Sequence, residues 1–411
     1  MIQKIKIELV KVEKDLYPRT ELDQESVNQY REAIEKLPPI VVSKDFILID
    51  GYHRLTAHRL EKIDEIEAEV LDITDKKEIL LEAIRRNTTH GKQLSREEKK
   101  HWAQQLYIQE YPEELIAKEL SVSDKSVSRW IKSQKEEKDD RILDLIKSLY
   151  LRCYSENEIV DELARQGIEI PQQTLNRKVT QIRQRSEMSN PPDDLQLYNV
   201  WKVFQMPENQ MKYPGQIPEQ IIENLLWYYS KPSDIVLDPM AGSGIVGAVC
   251  QKMFRCYWLI DINPINPLEI KQGDSMIEIK MPTQKKADFV FFDPPYFNLM
   301  EKDYPKNGFT KDYSTFLDSM EKVITNFSKA MNIEAHAGII LKPMNQELTT
   351  GEWLDMSFDT VEISKDIGLK YIKRISAPLS TQQFTGSNVI KAKDEKQMLN
   401  TLRDILIFKK V

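Results

Sequence analysis

The chain has 411 residues, 41% of them hydrophobic and 30% charged, with a formal net charge of −7. That length calls for two or three domains, and the hydrophobic share excludes wholesale disorder. The acidic balance argues against a generally sticky nucleic-acid binder, so any contact with DNA must come from a local basic face.

No apolar run approaches the ~20 residues a bilayer span needs, and the opening MIQKIKIELVKVEKD lacks the apolar core of a signal peptide. No membrane partner is expected, and a cytoplasmic location is. Cys153, Cys250 and Cys256 form no C-x-x-C pair, so no metal site is assigned.

Residues 1–75 form a small α/β unit. Ile5, Ile7, Leu9 and Val10 predict a first strand, Glu25 to Leu37 a short helix, and Ile40 to Val42 a second strand after Pro38-Pro39. Phe46 to Ile49 predicts a third strand, running into Asp50-Gly51 and a helix over Tyr52 to Leu60. Ile66 to Leu71 closes the unit. The stretch LIDGYHRLTAHRLEKI, Leu48 to Ile63, resembles the core motif of ParB-like domains, with Gly51, Arg54 and Ala57 matching its nucleotide-binding box. The resemblance implies Gly51, His53 and Arg54 as a nucleoside triphosphate site. Tyr52 and His53 depart from the box's usual acid and first arginine, which argues against that partner.

Residues 76–185 are read as almost wholly helical, with two candidate helix-turn-helix units, Tyr111 to Gln134 and Ser155 to Arg183. In such units the second helix enters the major groove of double-stranded DNA. That assigns Ser126, Ser128, Arg129 and Lys132 to the first reading face, and Gln172, Gln173, Thr174, Asn176 and Arg177 to the second. Trp130 is assigned to the core. A plain helical hairpin has the same pattern. The polar stretch 186–194, with its Pro pair, is read as a linker.

From Leu195 to Val411 strands and helices alternate, the texture of a mostly parallel sheet with crossover helices. Ile235 to Leu237 is a short apolar strand followed by Asp238, Pro239, Ala241, Gly242, Ser243 and Gly244. Glycines there permit a tight turn and close approach of a ligand, although such a turn also fits dinucleotide sites. Cys256 to Pro264 gives a second strand ending in Asp261, placed to grip a ribose. Asp274 follows in a third loop, as an acceptor for an adenine amino group.

Phe289 to Phe292 is a fully apolar run, the mark of a strand buried on both faces. It ends in Asp293-Pro294-Pro295-Tyr296. The prolines remove backbone donors and stiffen the turn, holding an acid and an aromatic on a rigid edge. That set suits a flipped base with an exocyclic amino group. Asp293 and the Pro294 carbonyl accept its two hydrogens, and Tyr296 stacks on the ring for ~1–3 kcal/mol.

Together DPMAGSG and DPPY resemble the cofactor and catalytic loops of the adenine-N6 and cytosine-N4 DNA methylases. YPGQIPEQIIENLL, Tyr213 to Leu226, resembles that family's additional cofactor-side motif. Met240 and Ile245 stand where the family has Phe and Thr. The resemblance implies a Rossmann-like domain using S-adenosylmethionine to methylate DNA, with Asp293 favouring adenine over cytosine. Little chain remains after DPPY for a separate target-recognition domain, so sequence choice is expected upstream. The alternative is a ParB-like DNA-binding or partition regulator with an inactive methylase half. A homodimer is left open.

Overall fold

The computed structural model describes residues 2–19, 23–89, 93–186, 190–202, 217–282, 284–295, 312–342, 354–378, 386–394, 396 and 401–411. Their contacts divide the chain into two units, Met1–Ile142 and Leu143–Val411. No described helix is long and apolar enough to cross a membrane.

The first unit opens with β1 (Ile2–Lys6), α1 (Gln24–Glu32), β2 (Ile40–Val42), β3 (Leu48–Asp50), α2 (Tyr52–Leu60) and β4 (Glu65–Val70). The first strand is shorter than its apolar pattern suggests, because Ile7–Leu9 turns as a 3-10 helix. The predicted helix over 25–37 likewise ends at Glu32 and gives way to a 3-10 turn at Ile34–Lys36. The sheet order is β1-β4-β2-β3, with β2 and β4 parallel and the outer pairs antiparallel. Next come α3 (Lys76–Thr89), α4 (Arg96–Ile108), α5 (Glu113–Glu119), α6 (Asp124–Trp130) and α7 (Lys132–Leu151), whose last turns from Leu143 belong to the second unit. Ser95 caps α4 in a reciprocal box with Glu98, satisfying two otherwise orphaned donors. Trp102, Leu106, Ile116, Val127 and Trp130 close a core with Val41 and Ile49 of the sheet.

The second unit contains α8 (Glu156–Arg165), α9 (Gln172–Ser186), α10 (Glu219–Tyr229), β5 (Ile235–Asp238), α11 (Ile245–Lys252), β6 (Cys256–Asp261), β7 (Ile270–Gln272) and β8 (Ala287–Phe292). It continues with α12 (Tyr313–Ala330), β9 (Met331–Leu341), α13 (Met356–Asp366), β10 (Leu369–Pro378), α14 (Gly386–Asp394) and β11 (Leu402–Lys410). The sheet order is β10-β11-β9-β8-β5-β6-β7. Strands β5 to β9 are parallel, and β11 lies antiparallel between β9 and β10. Phe289 to Phe292 are all at most 2% exposed, since both faces of β8 are covered. Each such side chain contributes roughly 1.5–3 kcal/mol of burial. Alternation sorts them into two cores, Phe289 and Phe291 on one face and Val290 and Phe292 on the other.

The sequence reading grouped both helical hairpins within 76–185. Contacts place the second hairpin in the unit that carries the large sheet. Leu151 and Cys153, just before α8, belong to the sheet's own core. The Cys153 thiol donates to the Tyr257 carbonyl, and the Lys285 ammonium donates to the Cys153 carbonyl at 2.6 Å.

Candidate active site

Chain order runs from β5 outward to β6 and β7, then returns to β8 on the other flank of β5. That reversal leaves a crevice at the carboxyl ends of β5 and β8, where ligands of open α/β sheets collect.

Asp238 closes β5 and is buried, and its Oδ1 accepts the Met240 N–H at 3.0 Å. Burial pushes its carboxyl well above the usual carboxylate range, and the charges of Asp293 and Asp261 push the same way. Pro239 is buried beside it. The Ala241 N–H donates to the Ile260 carbonyl at 2.9 Å, tying the loop to β6. The Gly242 N–H donates to Oδ2 of Asp261, also at 2.9 Å. Ser243 is half-buried at the crest of the turn. Gly244 takes φ +77° and caps α11. A side chain there would be strained by its backbone and would press on Ile270 at 3.3 Å.

Asp261 ends β6. Its second oxygen accepts the Asn263 N–H at 2.8 Å, so the carboxylate is held in orientation by both flanking loops. Asp274 follows β7, and its Oδ1 accepts the Met276 N–H at 2.9 Å. The Ser275 hydroxyl donates to the Pro239 carbonyl at 2.7 Å, and Asn326 of α12 donates to the Ser275 carbonyl at 3.0 Å. Ser275 therefore locks the third loop to the first, and Asn326 ties that loop to α12. Sequence reasoning missed both, since a serine beside an acid and an asparagine within a helix carry no local signal.

On the other flank, β8 delivers a half-buried Asp293 and a buried Pro294, followed by Pro295. Tyr296 lies outside the described residues, as do 213–216 of the upstream motif. The fold thus gathers Asp274, Asp261, Asp238 and Asp293 at one edge of four neighbouring strands, β7, β6, β5 and β8.

In the first unit, Gly51 adopts φ +101° at the start of α2. The Arg54 guanidinium is engaged beside it through both terminal nitrogens. It donates to the carbonyls of Pro38 and Pro39 at 3.0 and 2.8 Å, and pairs with Asp50 at 2.7 Å. His53 is buried, and its Nε2 accepts the Asp23 N–H at 3.1 Å. These side chains hold the turn in place.

On α6, Ser128 and Arg129 are exposed, as is Lys132 just beyond it; Ser126 is half-buried and Trp130 buried. On α9, Gln172, Gln173, Asn176 and Arg177 are exposed and Thr174 half-buried, over a buried Leu175 and Val179. Each hairpin therefore has a polar outer face on its second helix.

A reversed parallel sheet with a Gly turn after its first strand and acids at the ends of the neighbouring strands is a Rossmann-like domain. A DNA methylase family model matches residues 30–266, more than half of the chain, and the chain belongs to that family. Membership brings S-adenosylmethionine as methyl donor. The match takes in the Gly242–Gly244 turn and Asp261 and ends before Asp274 and Asp293.

The chain is 30% identical to the type II methyltransferase M.BglII of Bacillus subtilis, over 23% of this chain and 27% of that protein. It is 38% identical to the DNA adenine methyltransferase YhdJ of Escherichia coli (strain K12), over 16% and 23%. The chain thus spans about a quarter of the length of these curated relatives. A crystal structure of the C-terminally truncated chromosome-partitioning protein ParB from Caulobacter crescentus, complexed with CTP-gamma-S, aligns at 20% identity and TM-score 0.20. That alignment covers 32% of this chain and 77% of that one.

Proposed function

We propose that this protein transfers the methyl group of S-adenosylmethionine to the exocyclic amino group of an adenine extruded from DNA. The observation that supports this best is that Asp293 and Pro294 follow the end of buried β8, the strand paired beside β5, which ends in Asp238 and runs into the Gly turn. Gly242, Ser243 and Gly244 let the cofactor approach the backbone, with Asp238, Pro239 and Ala241 shaping the loop. Asp261 holds the ribose and Asp274 the adenine. Bound there, the cofactor supplies an activated methyl group.

The target amino group has two hydrogens. The Asp293 carboxylate accepts one and the Pro294 carbonyl the other, which keeps electron density on nitrogen. Pro295 stiffens the turn, and Tyr296 stacks on the base. The proton that nitrogen loses after transfer passes to Asp293. No covalent bond between enzyme and base is needed. Extrusion costs a few kcal/mol and requires contacts that hold the duplex. The exposed faces of α6 and α9, with Arg129 and Arg177, supply them, in a ParB-like and helix-turn-helix arrangement.

The test is transfer of labelled methyl groups to unmethylated DNA, followed by digestion to nucleosides. N6-methyladenine is expected. N4-methylcytosine would move the target to the other amino base. No labelled product would favour the DNA-binding regulator with a silent methylase half.

A further inference from the structure

Beyond β8, away from the cofactor loops, the same edge of the sheet carries two cations that the proposed chemistry does not use. Strand β11 pairs with β9 so that Asp404 faces Leu341 and Ile405 faces Ile340. One residue further, that register sets Arg403 opposite Lys342. Directly opposed residues of an antiparallel pair share a face, and like charges so placed are destabilising.

Arg403 is only 4% exposed, and its Nε and Nη1 have no hydrogen-bond partner among the described residues. Lys342 is half-buried. Burial pushes the Lys342 ammonium below its usual range, and the charge of Arg403 pushes it the same way. The neighbouring carboxylate does not relieve them. Asp404 belongs to the opposite face by alternation and is bound by Arg374 and by Ser357, each at 2.6 Å. A buried guanidinium with two unpartnered nitrogens beside a second cation is costly in the free protein. It is explained if an anion completes it.

Position identifies the anion. Ile405, Ile340, Phe291 and Val236 share one core face, so Arg403, Lys342, Asp293 and Asp238 follow on that face by alternation. In strand order the edge runs from cations on β11 and β9 to acids on β8 and β5. Arg403 stands two strand spacings, roughly 10 Å, from the Asp293 strand and about 14 Å from that of Asp238. The cofactor loops lie on the other flank, on β5, β6 and β7. The acids gathered at this edge repel a phosphodiester, so a nucleotide reaching Asp293 needs a cationic rest for its backbone.

We propose that Lys342 and Arg403 bind a backbone phosphate of the DNA strand that carries the extruded base. This rests on the methyl-transfer reading. The test uses the full chain with Arg403→Met, Arg403→Gln and Lys342→Gln. Three quantities are read: affinity for short unmethylated duplexes at several salt concentrations, KM for DNA in methyl transfer, and calorimetric affinity for S-adenosylmethionine.

Each variant should weaken duplex binding and raise KM for DNA by about tenfold or more. The salt slope should fall by about one, with cofactor affinity unchanged. Arg403→Met should melt no lower than the parent protein, because it removes a buried unpaired charge. Folded variants with unchanged duplex affinity and salt slope would overturn the site. So would loss of cofactor affinity instead, which would make the anion the cofactor's carboxylate. If the parent protein transfers no methyl group while the variants still lose duplex affinity, the methyl-transfer reading fails and the phosphate site stands.

Discussion

Two turns in this chain share one plan: a short buried strand, an acid at its last position, a left-handed glycine, then a helix. In the first unit it is β3, Asp50, Gly51 and α2; in the second it is β5, Asp238, Gly244 and α11. The first turn is closed on itself. Arg54 is bound to Asp50 and to two proline carbonyls, and a Cβ on Gly51 would meet Ile40 at 2.8 Å and Arg54 at 3.0 Å. The second is longer, and its partners Asp261 and Ser275 come from neighbouring strand ends and orient the loops. The same local syntax yields a packed corner where nearby donors satisfy each other, and a crevice where they hold the rim.

The sharpest way to break this contrast is Asp293→Ala. Methyl transfer should fall by about 10²–10⁴-fold while calorimetric affinity for S-adenosylmethionine stays within a few-fold. Near-normal turnover would remove Asp293 from the chemistry. Next in size is Gly242→Val, which puts a β-branched side chain at φ +48°. The strain is about 1–3 kcal/mol, and cofactor affinity should drop by about tenfold; unchanged affinity would make the turn purely structural.

Gly51→Ala is the mirror experiment. It should lower the thermal stability of the first unit by about 1–3 kcal/mol and leave cofactor affinity untouched. A loss of cofactor affinity would contradict the reading of that corner as self-contained.

The smallest effect belongs to Asp238→Asn. The folded carboxyl sits well above its unfolded value, so its favourable contribution is complete below the unfolded value of about 3.9. It is lost as pH rises through the raised folded value. The asparagine keeps an acceptor for the Met240 N–H and cannot ionise. Melting temperature should therefore decline less between acid and neutral pH in the variant than in the parent, and parallel profiles would refute the assignment.

The strands that deliver the crevice were legible because β5 and β8 are apolar runs cut off by Asp-Pro, and periodicity with proline punctuation is local information. The α2 helix was legible for the same reason, starting after Gly51. What escaped depends on pairs far apart in the chain. Arg54 gains its partners from Pro38 and Pro39, which the chain brings beside it. Ser275 gains its role from Pro239, and Arg403 from Lys342. The second hairpin read as part of a separate helical region, yet Leu151 and Cys153 pack into the sheet core. A fragment beginning at 195 would strip those residues away, so 143–411 is the piece to use when separating the halves.

Strand β11 is the last of the sheet in chain order, yet it lies inside the sheet, hydrogen-bonded on both sides. During synthesis, at ~5–20 residues per second, β9 and β10 exist before the strand that joins them. Until it arrives, each presents an unpaired edge, the surface through which chains stick to one another. Ribosome stalling or proteolysis upstream of Leu402 should therefore yield aggregates rather than a shortened folded chain, and a β11 peptide supplied in trans is the natural agent to rescue them.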